Sequence, residues 1–343
     1  MTGTPATALP LSTLLLPYPF FTTIPTNGTF DGVTTYNGMN LRVQKRASHG
    51  LDFVVAYTVS KQMDNWSVGG AGVEAVDPIH YTRTGITGGR GGQLESAYGG
   101  PWTFQDPDNR NADRAIAVDD IPQQFNVAAT YDLPVGTGKT FLNRKGRLGS
   151  ILGGWKLSGN FNAQKGLPLP ISCPSSTLQQ LSTPGTAYQE SGGRCNMIGD
   201  PHFSGHRSKA ERIADWINPA DFEPAFGNDP TFWANYDPTD PRAWTFGNMK
   251  PRTDAIRGPG FWNVDSTLMK DFHLAESRYV EFQWQVFNTL NHQNLGLPNT
   301  TFCLPPGPGG EQDLVQQAGC TFGKITGVQT DPRNMTFVLK FFW

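Results

Sequence analysis

No stretch of the 343 residues is long and apolar enough for a membrane-crossing helix, which needs about 18 consecutive apolar residues. Charge is scarce too: Asp, Glu, Lys and Arg make up 16% of the chain and nearly cancel, leaving a net charge of −2. Without a basic stripe there is no electrostatic footprint for nucleic acid, which is excluded as a partner. Low charge together with 12% aromatics also excludes intrinsic disorder, which needs high charge and few aromatics. Between Met1 and Phe30 the apolar stretch is broken by Pro17 and Pro19 and follows no basic region, so it does not read as a signal peptide.

Catalytic signatures are missing as well. The six histidines are scattered, and no Ser, His and Asp set has the nucleophile-elbow pattern, so no enzyme is expected. Gly136, Thr137, Gly138, Lys139 and Thr140 look like half of a phosphate-binding loop, but the first glycine of that motif would fall on Leu133. A glycine-rich turn is the expectation there. Asp106, Asp108, Asn109, Asn111 and Asp113 are residue types that collect calcium, yet they lack the glycine and closing glutamate of an EF-hand. Asp200, His202 and His206 have only loose metal spacing. Both groups read as loop chemistry, and neither a metal nor a cofactor is expected.

What the chain has is alternation. A strand sends successive side chains to opposite faces, and residues 333–343 put Phe337, Leu339, Phe341 and Trp343 on one face. Thr336 and Lys340 share the other with Val338 and Phe342. The pattern recurs six times: Met39, Leu41 and Val43 oppose Asn40, Arg42 and Gln44 in residues 37–46, and Leu51, Phe53, Val55, Tyr57 and Val59 oppose Asp52, Thr58 and Ser60 in 51–60. Residues 123–133 set Phe125, Val127, Ala129, Tyr131 and Leu133 against Gln124, Asn126, Thr130 and Asp132, and residues 154–165 set Trp155, Leu157, Phe161 and Ala163 against Lys156, Ser158, Asn160, Asn162 and Gln164. Trp262, Val264 and Leu268 oppose Asn263, Asp265, Thr267 and Asp271 in 261–272, and Val280, Phe282, Trp284 and Val286 oppose Glu281, Gln283 and Gln285 in 278–288.

A soluble β-sandwich shows alternation too. Two features favour a barrel. The polar face is rich in amides and hydroxyls and poor in Lys and Glu, as a crowded aqueous lumen requires. The links also alternate, short or medium at 47–50, 134–153 and 273–277 and long at 61–122, 166–260 and 289–332. Outer-membrane barrels have short periplasmic turns and long outer loops, whereas long structureless links are uncommon in compact soluble domains. Residues 322–330, with Gly323 and Gly327, read as part of the last outer loop.

The expected fold is therefore all-β, an antiparallel transmembrane β-barrel built from seven crossings. The aromatics of the longest loop, Trp216, Phe222, Phe226, Phe232, Trp233, Tyr236, Trp244 and Phe246, allow either a binding face or a small core for the loop itself, and the core is favoured because aromatics bury a large area each.

Several segments resemble one family in order along the chain: LRVQKRASHGLDFVVAYTVSK (41–61), DNRNADRAIAVDDIPQQFNVAATYDLPVG (108–136), LGGWKLSGNFNAQKGLPLPIS (152–172), RGPGFWNVDSTLMKDF (257–272), EFQWQVFNTLNHQN (281–294) and DPRNMTFVLKFFW (331–343). They are similar to the C-terminal barrel region of TonB-dependent receptors, in particular the Oar-like group with a carboxypeptidase-regulatory-like domain. The pair before Phe125 is Gln123 and Gln124, where the family usually has a basic pair, and the last residue is Trp343 where Phe is more frequent. The resemblance implies an outer-membrane transporter of about 22 strands closed by a plug domain. It also implies outer-membrane lipid, the plug and TonB as partners, and a transported substrate that the sequence does not name.

On this reading residues 1–34 are the remnant of an outer loop and residues 35–343 the C-terminal part of the barrel, with the plug and the true N-terminus expected outside the chain. A small self-contained outer-membrane barrel for adhesion or structure, and a secreted β-sandwich binding module, are the alternatives. An even strand count favours the first and failure to partition into membranes the second.

The four cysteines fall in pairs within single long loops, in an oxidising compartment. Cys173–Cys195 and Cys303–Cys320 are the expected bonds, each contributing on the order of 3 kcal/mol in the loop-entropy model. Peptide mapping without reductant should recover these two linked pairs; free thiols or a bond between the loops would refute the assignment.

Overall fold

The computed structural model of the chain describes residues 33–65, 109–136, 138–143, 146–173, 194–227, 229, 237, 239–274, 278–303 and 320–343. Among these residues ten strands follow in order: β1 (Thr34–Ser48), β2 (Leu51–Asp64), β3 (Ala115–Ile116), β4 (Gln123–Asp132), β5 (Trp155–Gln164), β6 (Cys195–Met197), β7 (Phe222–Pro224), β8 (Phe261–His273), β9 (Tyr279–Phe287) and β10 (Asn334–Phe342). The main sheet is antiparallel in the order β1-β2-β4-β5-β8-β9-β10, with β3 pairing the end of β2. Among the described residues β1 and β10 are not bonded to each other, and the sheet is open. No described helix is long and apolar enough to cross a membrane, which says nothing of strands.

Register keeps each face continuous, because residues directly opposite in an antiparallel pair lie on the same side. One row runs Leu41, Tyr57, Phe125, Ala163, Trp262, and the next runs Val43, Val55, Val127, Phe161, Val264. Farther along, Leu268 meets Trp284 and Trp284 meets Phe337. The polar rows are equally aligned: Asn126, Asn162 and Asn263 adjoin in turn, as do Thr130, Ser158, Thr267, Gln285 and Thr336. A slip of one residue in any strand would carry its polar set to the apolar face, so the pattern itself specifies the register.

The first hairpin differs from expectation. The strands reach beyond 37–46 and 51–60, and the turn shrinks from four residues to His49 and Gly50. Both take positive φ, 54° and 78°, the backbone twist that two-residue hairpins require. At the other end Thr34–Asn37 pairs Lys61–Asp64, where the sequence is polar and alternation fades although the ladder continues.

The short turn at 49–50, the β4–β5 link and the β8–β9 turn lie at one end of the sheet, and the long links at the other. The β4–β5 link holds α1 (Arg147–Leu152) and a turn closed by the Val135–Phe141 bridge. The phosphate-loop look-alike is that turn: Gly136 and Gly138 take positive φ, and Gly136 packs so closely on Gly153 that a side chain would collide with it.

The long links at the opposite end condense into a cap. β6 and β7 pair as a small antiparallel sheet, and Leu169, Ile171, Cys173, Cys195, Ile217, Phe222, Met249, Ile256, Phe302 and Phe322 make one buried cluster from both the β5–β8 and β9–β10 links. Residues 322–330 join this cap through bridges to 295–299 and are not a crossing strand.

Candidate functional site: a two-faced wall and its buried cap

The polar face is a hydrogen-bonded surface. Along β9 the amide of Gln285 donates to Gln283 and that of Gln283 to Glu281, each at 2.7 Å, while Lys340 of β10 lies 3.1 Å from Glu281. Across strands, Thr58 donates to Asn40 at 2.7 Å and Thr130 meets Ser158 at 3.2 Å. These amides and hydroxyls pair with one another and leave lone pairs and N–H groups for water or a polar solute.

The apolar face carries aromatic rings near both ends of the strands. Tyr57, Phe125, Phe161 and Trp262 form a contiguous series with centroid separations of 6.4, 6.0 and 6.3 Å, and Trp262 stacks on His292 at 3.8 Å. At the short-turn end Trp155 meets Phe282 edge-on at 6.1 Å. Lys270 also lies on this face, yet only 2% of it is exposed. Its ammonium donates to the carbonyls of Ile151, at 2.7 Å, and Gly153, and lies over the rings of Trp155 and Phe272. A lysine on an apolar face is tolerated because its stem runs along the rings while its charge reaches the polar end of α1.

Three arginines tie the cap to the wall. Arg252 pairs with Asp64 at the top of β2 at 2.9 Å and donates to the carbonyl of Ile116 at 2.6 Å. Arg194 pairs with Asp113 and donates to the carbonyl of Ala112. Arg257 bridges Asp120 at 2.6 Å and Asp254 at 2.5 Å. Burial pushes Arg194 and Arg252 below the ordinary guanidinium value, opposed by Asp113 and Asp64 respectively. Burial would raise Asp254, but Arg257 and Lys61 hold its carboxyl below the usual value. That depression is worth stability above the unfolded carboxylate pKa, near ~3.9, and is lost as pH falls through the lower folded value.

This chain matches the model of an outer membrane β-barrel domain over residues 3–336. It belongs to that family. No curated protein and no solved structure matches it. As an outer-membrane barrel domain it resides in the outer membrane and crosses with strands, so the apolar face meets lipid and the polar face looks inward.

The barrel domain uses the sequence candidates as follows. Cys173 bonds Cys195 and Cys303 bonds Cys320, with no free cysteine among the described residues. Of the suspected calcium group, Asp113 is the buried partner of Arg194, Asn109 precedes a short 3-10 turn, and Asp106 and Asp108 lie outside the described residues. Asp200 accepts from the backbone of His202 and contacts its ring at 2.8 Å, both exposed, as is His206. Among the described residues no three His, Cys, Asp or Glu side chains converge as a metal would need.

Phe222 and Phe226 are buried and Trp216 packs on the cap core, while Trp244 is exposed and Phe246 half-buried. Phe232, Trp233 and Tyr236 lie outside the described residues. The sequence alone does not mark the Arg194–Asp113, Arg252–Asp64 and Arg257–Asp120 pairs or the Lys270 contact with Ile151, because the partners lie 81, 188, 137 and 119 residues apart.

Truncating Arg252 to alanine leaves Asp64 charged and buried and should cost about 3–5 kcal/mol. The exposed Lys61–Asp254 pair should be worth only about 0–1 kcal/mol in Lys61→Ala. Denaturant titration of the bilayer-inserted protein, read by protease sensitivity of the cap, compares the two; equal losses would contradict the clamp.

Proposed function

We propose that the chain forms part of the wall of a larger outer-membrane barrel, that of a TonB-dependent transporter, and acts in transport and not as an enzyme. The observation that carries this reading is the pair of open edges. On β1 and β10 the large side chains Met39, Leu41, Phe337 and Leu339 are exposed, the last at 71%. An edge strand in lipid has no water for its unpaired N–H and C=O groups, each of which costs several kcal/mol. Single-chain bacterial barrels close with an even number of strands. The seven crossings among the described residues therefore call for further strands, which the family resemblance supplies in a barrel of about 22 that is wide enough to need a plug. The amide-lined inner face suits a plug packed against it and a polar cargo passing beside it. The plug domain and TonB are the proposed partners, and the cargo stays unnamed.

An antibody against the disulfide-bonded cap, applied to cross-linked outer membranes, should capture a polypeptide that also carries a plug domain, together with TonB. Capture of a heat-modifiable, ion-conducting species of these 343 residues alone would overturn the proposal and favour a small self-contained barrel.

A further inference from the structure

The lipid-facing side of the wall holds a groove at the outer ends of β4, β5 and β8, of about 610 Å³. Its floor is Ala163, which register places between Phe125 on β4 and Trp262 on β8. A small side chain between two large rings leaves a trough, and Tyr57 and Phe161 extend the walls. The volume lies in the range of ligand pockets, about 300–1,000 Å³, and the trough is lined mainly by apolar atoms.

One row closer to the cap the trough ends at Gln123 and Lys165, joined through the Lys165 N–H to the Gln123 carbonyl at 3.1 Å. Lys165 shares the outward parity of Ala163 and is exposed, and no carboxylate lies within ion-pairing distance of it among the described residues. The neighbouring outward cation, Lys61, is paired to Asp254, and Arg257 to Asp254 and Asp120, so Lys165 is the charge left facing the mouth of the groove. An apolar trough ending in an amide and an ammonium complements a lipid with an anionic head. The height agrees: aromatic belts mark the level of the headgroups, and here the belt rings are the groove walls.

We propose that this groove binds one anionic phospholipid of the outer leaflet, its acyl chain over Ala163 between Phe125 and Trp262 and its phosphate at Lys165 and Gln123. The site depends only on the outward face meeting lipid and is independent of any role in transport.

The test uses the native protein reconstituted in phosphatidylcholine vesicles doped with phosphatidylglycerol whose acyl chain carries a photoactivatable group. Adducts should map to residues 123–125, 161–165 and 260–262. Ala163→Trp, which fills the trough, should abolish them. Lys165→Glu, an exposed change that spares folding, should reduce them at least about five-fold, the worth of one interfacial lysine. Val55→Trp, on the same face outside the groove, should leave them unchanged. Equal labelling by photoactivatable phosphatidylcholine, insensitivity to Lys165→Glu, or adducts spread evenly along the outward face would each overturn the proposal. Should Ala163→Trp fail to insert, the Lys165→Glu comparison decides alone.

Discussion

A bilayer offers no water, so every backbone N–H and C=O that enters it must find its partner within the protein. In this chain the ladders of seven long strands meet that constraint everywhere but along the outer edges of β1 and β10, and the rest of the structure depends on those ladders. Pairing fixes register, and register lines up residues of one parity from Leu41 to Trp262 and from Leu268 to Phe337. The two faces are therefore consequences of the same hydrogen bonds. One face becomes a lipid surface and the other an amide-rich interior.

Where the ladders end, the chain solves a different problem. The described parts of the outer links build a second core outside the membrane, whose burial must offset the entropy lost in ordering them. Two disulfides and the Phe222–Phe302–Phe322 cluster hold it. The Arg–Asp pairs then join that core to β2 and to the segment around β3. They sit where burial makes charge expensive unless it is paired, which ties the cap to one position on the wall. Lys270 does a related job at the opposite end by satisfying carbonyls at the end of α1.

The wall was legible in the sequence because period-two alternation is local: each of the seven strands announces itself within about ten residues. Strand ends were less clear. Thr34 to Asn37 and Lys61 to Asp64 are too polar to read as strand, and pairing alone keeps them extended. The disulfide-rich loops were legible as loops, and Phe222 as part of a loop core. The cap clamps were hidden because Asp64 and Arg252 are 188 residues apart and nothing in either neighbourhood marks the other. Lys270 was hidden for the opposite reason, since a lysine on the apolar parity looks like an interruption until α1 is seen beneath it. The groove over Ala163 arises from a single small residue whose neighbours come from two other strands, and only register brings them together.

The most direct measurement of the two-faced wall is a set of arginine substitutions, scored by folding titration into bilayers. Arginine at Val55, Val127 or Phe282 should cost roughly 2–4 kcal/mol near the midplane. At Asn126 or Gln283, on the inner face, it should cost much less. Equal costs on the two faces would contradict the account, because a wall with lipid on one side only cannot treat them alike.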